Sequence, residues 1–108
     1  MPGYICLVSR THAVELHDLS EAECSTFMRD IRKVSKALSL VTGAVKLNYE
    51  IHGNTIPHVH MHLFPRHIGD AFENQPINPK SVVGPVYAPG EFAMFRERLL
   101  LALSNNGA

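Results

Sequence analysis

In the stretch Asn54-Thr55-Ile56-Pro57-His58-Val59-His60-Met61-His62-Leu63-Phe64-Pro65-Arg66, histidine recurs at every second position from His58 to His62. Successive side chains of a β-strand point to opposite faces, so this alternation sets three imidazoles on one face and Val59, Met61 and Leu63 on the other. A helix with the same spacing would scatter them around its axis. Along a strand, the imidazoles would stand roughly 6.5 to 7 Å apart from one to the next. Three groups able to give or take a proton near neutral pH would then face one small volume. The pattern predicts a strand that is apolar on its buried side and chemically equipped on its open side.

The neighbouring segments fit a small mixed fold around that strand. Ala44 to Ile51 alternates apolar with polar residues and predicts a half-buried strand, with Gly53-Asn54 as the turn into the histidine run. Two strands so joined pair antiparallel, which brings Asn48, Glu50 or His52 near the histidine face or its edge. Upstream, Ser20 with Glu23 three residues on forms a capping box. Phe27, Ile31, Val34, Leu38 and Val41 then follow as the stripe of an amphipathic helix that stops at Gly43. Arg29, Asp30, Arg32, Lys33 and Lys36 lie off the stripe and read as solvated surface. Tyr4 to Ser9 is a short β-branched and aromatic run preceded by Pro2-Gly3, and predicts a first strand. Pro65 to Pro89 reads as one long loop, which in a compact domain is either functional or partner-facing, or else packs irregularly over the core. A second amphipathic helix closes the chain over Gly90 to Leu103, with Phe92, Phe95, Leu99 and Leu103 on its stripe.

Composition narrows the function classes. A chain of 108 residues and 12.0 kDa makes one domain. Ten basic against ten acidic residues leave no sequence-wide electrostatic footprint for nucleic acid or an anionic membrane, so any phosphate is held locally. Cys6 and Cys24 are the two cysteines, expected to be buried apolar thiols. With no signal-peptide pattern and no apolar run approaching ~18 residues, the expectation is a reduced, soluble, cytoplasmic protein without membrane or nucleic-acid partners.

Two chemistries suit histidines in this spacing. Histidine is the commonest metal ligand, but alternate residues of one strand diverge too far for all three to reach one ion at about 2.1 Å, and no complete ligand set is evident elsewhere. In the other chemistry, a neutral imidazole attacks an electrophile while its neighbours orient it and protonate the leaving group, which suits phosphorus. Taken singly, His12, His17, His52 and His67 read as structural histidines.

The run His58-Val59-His60-Met61-His62-Leu63-Phe64 resembles the signature of the histidine triad (HIT) family, which alternates histidine with apolar residues and ends in two apolar positions. Gly53-Asn54-Thr55-Ile56 is similar to the segment that precedes it in the family, and Pro2-Gly3-Tyr4-Ile5-Cys6-Leu7-Val8 resembles its Pro-Gly-His strand. Ser9-Arg10-Thr11-His12 and Leu16-His17-Asp18-Leu19 look like the exit from that strand and the entry to the main helix. The resemblance spans roughly Pro2 to Asp70. It implies an α+β fold in which an antiparallel sheet packs against one long helix, with a C-terminal helix besides, and assembly as a homodimer through the main helix and a sheet edge. It further implies a nucleotide hydrolase or transferase acting at an α-phosphorus, on a dinucleoside polyphosphate or a nucleoside phosphoramidate, with no cofactor and no metal. The alternatives are a nucleotide-binding protein with little activity and a metal-dependent hydrolase. By the same resemblance, His60 is the nucleophile that becomes nucleotidylated, His62 contacts the phosphate or bridging oxygen, and His58 helps hold the arrangement. Gly53, Asn54, Thr55 and Ile56 contact phosphate, with Asn48 a further phosphate ligand displaced by one position. Two departures stand out. Tyr4 replaces a histidine that packs behind the triad in the family, and the chain reads as one HIT domain over residues 1–108 that lacks the family's usual residues ahead of Pro2-Gly3.

Overall fold

The computed structural model describes residues 2–53, 56–78 and 87–105. Strand β1 (Ile5–Val8) leads through a 3-10 turn (Leu16–Asp18) into helix α1 (Glu21–Thr42). Strands β2 (Lys46–Ile51) and β3 (His60–Arg66) follow, and helix α2 (Glu91–Asn105) closes the chain. β3 is the central strand of a three-stranded antiparallel sheet ordered β1-β3-β2. Cys6 pairs with His62 and Val8 with His60 on one side, while Glu50 pairs with His62 and Asn48 with Phe64 on the other. The expected α+β arrangement of a small antiparallel sheet with two helices is present.

The signals at the ends of α1 operate as read. The Ser20 hydroxyl accepts from the Glu23 N–H at 3.1 Å and the Glu23 carboxylate accepts from the Ser20 N–H at 2.7 Å, a reciprocal cap of a kind that contributes about 1 kcal/mol. Glu23 also accepts from the Thr11 hydroxyl at 2.8 Å, which ties the segment leaving β1 to the start of the helix. Gly43 ends α1 in the left-handed conformation, with φ of 68°. Phe27, Ile31, Ala37 and Leu38 form the buried face of the helix. Against them lie Val59, Met61 and Leu63, and Leu38 and Leu63 are completely buried. The period of 3.6 on α1 and the period of two through β3 meet in one core. Helix α2 packs on α1, with Phe95 and Leu99 resting on the core and none of its residues fully buried.

The structure corrects several expectations. Regular pairing of the histidine strand begins at His60, so His58 precedes it. Pro57 has no N–H to give a ladder, the His58 N–H turns back to the Ile56 carbonyl at 2.9 Å, and the Val59 N–H goes to the Ala13 carbonyl at 2.7 Å. At its other end the strand runs through Pro65 to Arg66, so the following loop starts at His67; the part of that loop numbered 79–86 lies outside the described residues. Neither cysteine is buried. Cys6 is exposed because it lies on the sheet face opposite α1, and Cys24 is half-buried on α1. Among the described residues, no helix is long and apolar enough to cross a membrane.

Gly3 shows why the approach to β1 needs glycine. Its φ is +82°, and a Cβ built there would lie 3.0 Å from both Pro65 Cγ and Thr42 Cγ2, joining the central strand to the end of α1. Its N–H donates to the Tyr87 hydroxyl at 2.9 Å. Gly3→Ala is therefore expected to destabilise the fold by about 1–3 kcal/mol, from left-handed strain plus crowding. Chemical denaturation that shows no change in midpoint would refute this role.

Candidate active site

The face of the sheet opposite α1 carries Cys6 and Val8 of β1, His60, His62, Phe64 and Arg66 of β3, and Asn48 and Glu50 of β2. His60 and His62 meet edge to face, with ring centroids 4.7 Å apart, and the His52 ring lies 5.7 Å from His62. The two central imidazoles are thus closer to each other than the backbone rise alone would set them.

Each ring is held by a partner that constrains its protons. Nδ1 of His60 lies 2.6 Å from the His58 carbonyl, which can only accept, so Nδ1 carries the hydrogen and a neutral His60 has its lone pair on Nε2. Nε2 of His58 likewise donates to the Ser9 carbonyl at 2.7 Å. That leaves His58 Nδ1 as the acceptor for His12 Nδ1, 3.2 Å away. His58 is consequently turned toward the exit of β1 and acts on His60 through its main-chain carbonyl. The hydroxyl of Tyr4 lies 2.5 Å from His62 Nδ1, and the Tyr4 ring stacks on Phe64 at 4.7 Å. Burial pushes the Tyr4 hydroxyl above the ordinary tyrosine value, so at neutral pH it keeps a proton to donate. Burial, with His60 and His52 nearby, holds the His62 imidazole below the ordinary histidine range and favours its neutral form.

Arg66 anchors the far end of this face. It is buried, pairs through Nε and Nη2 with both Asp70 carboxylate oxygens at 2.9 and 3.0 Å, and donates to the Asn48 side-chain carbonyl and the Gln75 main-chain carbonyl at 2.7 Å each. A further bond reaches the Phe72 carbonyl. These bonds hold Asp70 well below the usual carboxylate range and fix the segment after β3 against β2. A cleft of about 940 Å³ opens between that segment and β2, lined among others by Lys46, Asn48, Glu50, Arg66 and Asp70. The imidazoles lie beside this cleft on the open sheet face.

Of the residues singled out from sequence, His60 and His62 are brought together, with Glu50 and His52 at their edge. His58 joins them through its backbone, and Asn48 is tied to Arg66. Gly53 and Ile56 are exposed in the segment ahead of β3, while Asn54 and Thr55 lie outside the described residues. The resemblance put Tyr4 behind the triad without saying which ring it meets; that His62 is its partner, that His12 is the partner of His58, and that Cys6 lies beside both central histidines come from the structure. Alternation along β1 puts Tyr4, Cys6 and Val8 on one face, but only the register with β3 tells which face that is.

The HIT domain family model matches residues 1–69. The chain belongs to the HIT family. It is 32% identical over 79 residues to a bis(5'-nucleosyl)-tetraphosphatase (asymmetrical) of Schizosaccharomyces pombe, a match covering 68% of this chain and 43% of that protein. It is 26% identical over 86 residues to the adenosine 5'-monophosphoramidase hnt1 of the same organism, covering 74% of this chain and 65% of the relative. The chain thus spans less than two thirds of the length of either curated relative. Among solved structures, a histidine triad protein from Bradyrhizobium japonicum superposes with a TM-score of 0.80 at 34% identity, over 92% of this chain and 74% of that one. The sheet and helices described above are therefore those of the HIT fold, with His60 and His62 on the sheet face opposite the long helix.

An NMR titration of the ring protons should place the His62 midpoint below the ordinary value of about 6.5. His52→Ala should raise that midpoint, because it removes a neighbouring positive charge at acid pH. A wild-type midpoint at or above ~6.5 contradicts the burial argument.

Proposed function

We propose that this HIT protein is a nucleotide hydrolase or nucleotidyl transferase in which His60 attacks an α-phosphorus and carries the nucleotidyl group as a covalent intermediate. The observation that carries this reading is the bond from His60 Nδ1 to the His58 carbonyl, which leaves the Nε2 lone pair for attack without prior loss of a proton. In the first step a bond forms between Nε2 and phosphorus as the bond to the leaving group breaks. With Tyr4 donating to Nδ1, neutral His62 keeps its proton on Nε2 and presents it as a hydrogen bond to the departing oxygen or nitrogen, whose own proton comes from solvent. Water then displaces His60 and releases the nucleoside monophosphate. Gly53 to Ile56 would give N–H and side-chain donors to the phosphate as charge develops on it.

The curated relatives are named for a dinucleoside tetraphosphate and for an adenosine phosphoramidate, which supports a substrate built on a nucleoside phosphate. Dinucleoside polyphosphates and nucleoside phosphoramidates are accordingly the substrate classes proposed here. His60→Ala should lower kcat by on the order of 10⁴-fold while leaving the Kd for a non-hydrolysable analogue within a few-fold of wild type. Quenched turnover should trap a nucleotide on the wild-type chain and none on the variant. A variant that keeps half of the wild-type rate sinks the proposal.

The same reading includes a homodimer. Val45 just ahead of β2 and Tyr49 and Ile51 along it are 64%, 46% and 42% exposed, and Met28 and Leu40 on α1 are 50% and 65% exposed, leaving apolar surface beside an edge strand. Proteins generally cover such edges, and a second copy using α1 and the β2 edge would do so. Sedimentation at micromolar concentration should give twice the 12.0 kDa chain mass. A 12.0 kDa species with intact turnover would return the site to a single chain.

A further inference from the structure

Cys6 has no part in the chemistry described so far, yet it stands directly across the β1–β3 ladder from His62, on the same face as both central histidines. One ligand atom from each of Cys6, His60 and His62 can be chosen so that all three lie within 4.8 Å of one another. Around a tetrahedral zinc ion, with bonds of about 2.1 Å to nitrogen and 2.3 Å to sulfur, ligand atoms lie roughly 3.4 to 3.6 Å apart. The cluster is thus within a small side-chain adjustment of a three-ligand set with its fourth position open. The geometry points to a second use of this face: Cys6, His60 and His62 bind a borderline-soft divalent cation, zinc foremost, and the bound ion silences the nucleophile.

The proton balance is consistent with the contacts. His60 already carries its hydrogen on Nδ1, held by the His58 carbonyl, so Nε2 can ligate directly; an imidazole steadied by a main-chain acceptor is the usual arrangement of a metal-bound histidine. His62 would move its proton from Nε2 to Nδ1, and the Tyr4 hydroxyl, 2.5 Å away, can accept there instead of donating. Cys6 gives its thiol proton to solvent, so one proton is released for each ion bound. Glu50, paired across the other ladder with His62, places a carboxylate beside the cation. Two imidazoles and a thiolate suit zinc over magnesium or calcium, which take oxygen ligands. The strands supply what the three histidines alone lack, a ligand converging from a second element.

Silencing follows from the lone pair. The Nε2 electrons that would form the bond to phosphorus are the ones the ion would occupy, so metal and nucleotidyl transfer exclude each other. This part rests on the reading of His60 as the nucleophile, whereas metal binding itself does not. Chelator-stripped wild type and Cys24→Ser should each bind one cobalt(II) with a sulfur-to-metal charge-transfer absorption that zinc displaces. Cys6→Ser should lack the band. With free zinc buffered, one equivalent should suppress turnover and EDTA should restore it. Cys6→Ser should turn over normally without metal and need at least about 10- to 100-fold more zinc for the same inhibition, the loss that even an outer partner of a metal site produces. Identical cobalt spectra for wild type and Cys6→Ser would overturn the site, as would zinc inhibition of equal strength in the two; Cys6→Ala should likewise lack the band and lose zinc sensitivity. A Cys6-dependent band with turnover that zinc does not slow would leave the site standing and overturn the silencing.

Discussion

Everything on the open face depends on the burial of Val59, Met61 and Leu63 against α1. Leu63 has no exposed surface and Val59 is 2% exposed, so the parity of β3 is held by a core that cannot accept a polar residue in their place. A slip of one residue would drive His60 and His62 into Phe27, Ile31 and Leu38 and expose the leucine. The chemistry of the histidines is thereby positioned by residues that have none. The same parity acts across the ladders, since antiparallel partners share a face: fixing β3 also sets Cys6, Glu50 and Asn48 beside the imidazoles.

Positioning within the face is then a matter of hydrogen bonds that each admit one arrangement. Carbonyls hold the Nδ1 hydrogen of His60 and the Nε2 hydrogen of His58, and a phenol holds His62. Arg66 does for the backbone what these do for the rings, binding the Asp70 carboxylate in a planar fork and collecting main-chain carbonyls from the segment beyond β3. Its burial among acceptors ties that segment to the end of the sheet and gives the cleft beside β2 a fixed wall.

Much of the fold was legible in the sequence because its signals are local. Ser20 with Glu23, the stripe from Phe27 to Leu38, Gly43 and the alternation through Leu63 each involve residues a few positions apart, and each took the form its spacing dictates. The pairing of His60 with His62 was legible for the same reason. Less accessible were Tyr4 on His62 and His12 on His58, which join residues 58 and 46 positions apart. Cys6 belongs with them, because a cysteine in an apolar run reads as core until the register shows that its side of the strand has no helix over it. The start of β3 is hidden from periodicity, which continues through His58 while Pro57 withholds the N–H that a ladder needs.

That early stop changes what the backbone is free to do. β2 ends at Ile51, short of the register position that would face His58, and β3 begins regular pairing only at His60. A carbonyl inside a complete ladder has its acceptor direction taken by a neighbouring strand; the one at His58 is taken by an imidazole. The irregular backbone and the orientation of the His60 ring therefore meet at a single oxygen atom. A sequence drift that tidied the hairpin, by replacing Pro57 and extending both strands, would make a better sheet at the expense of the group that tells the ring of His60 which nitrogen to keep bare.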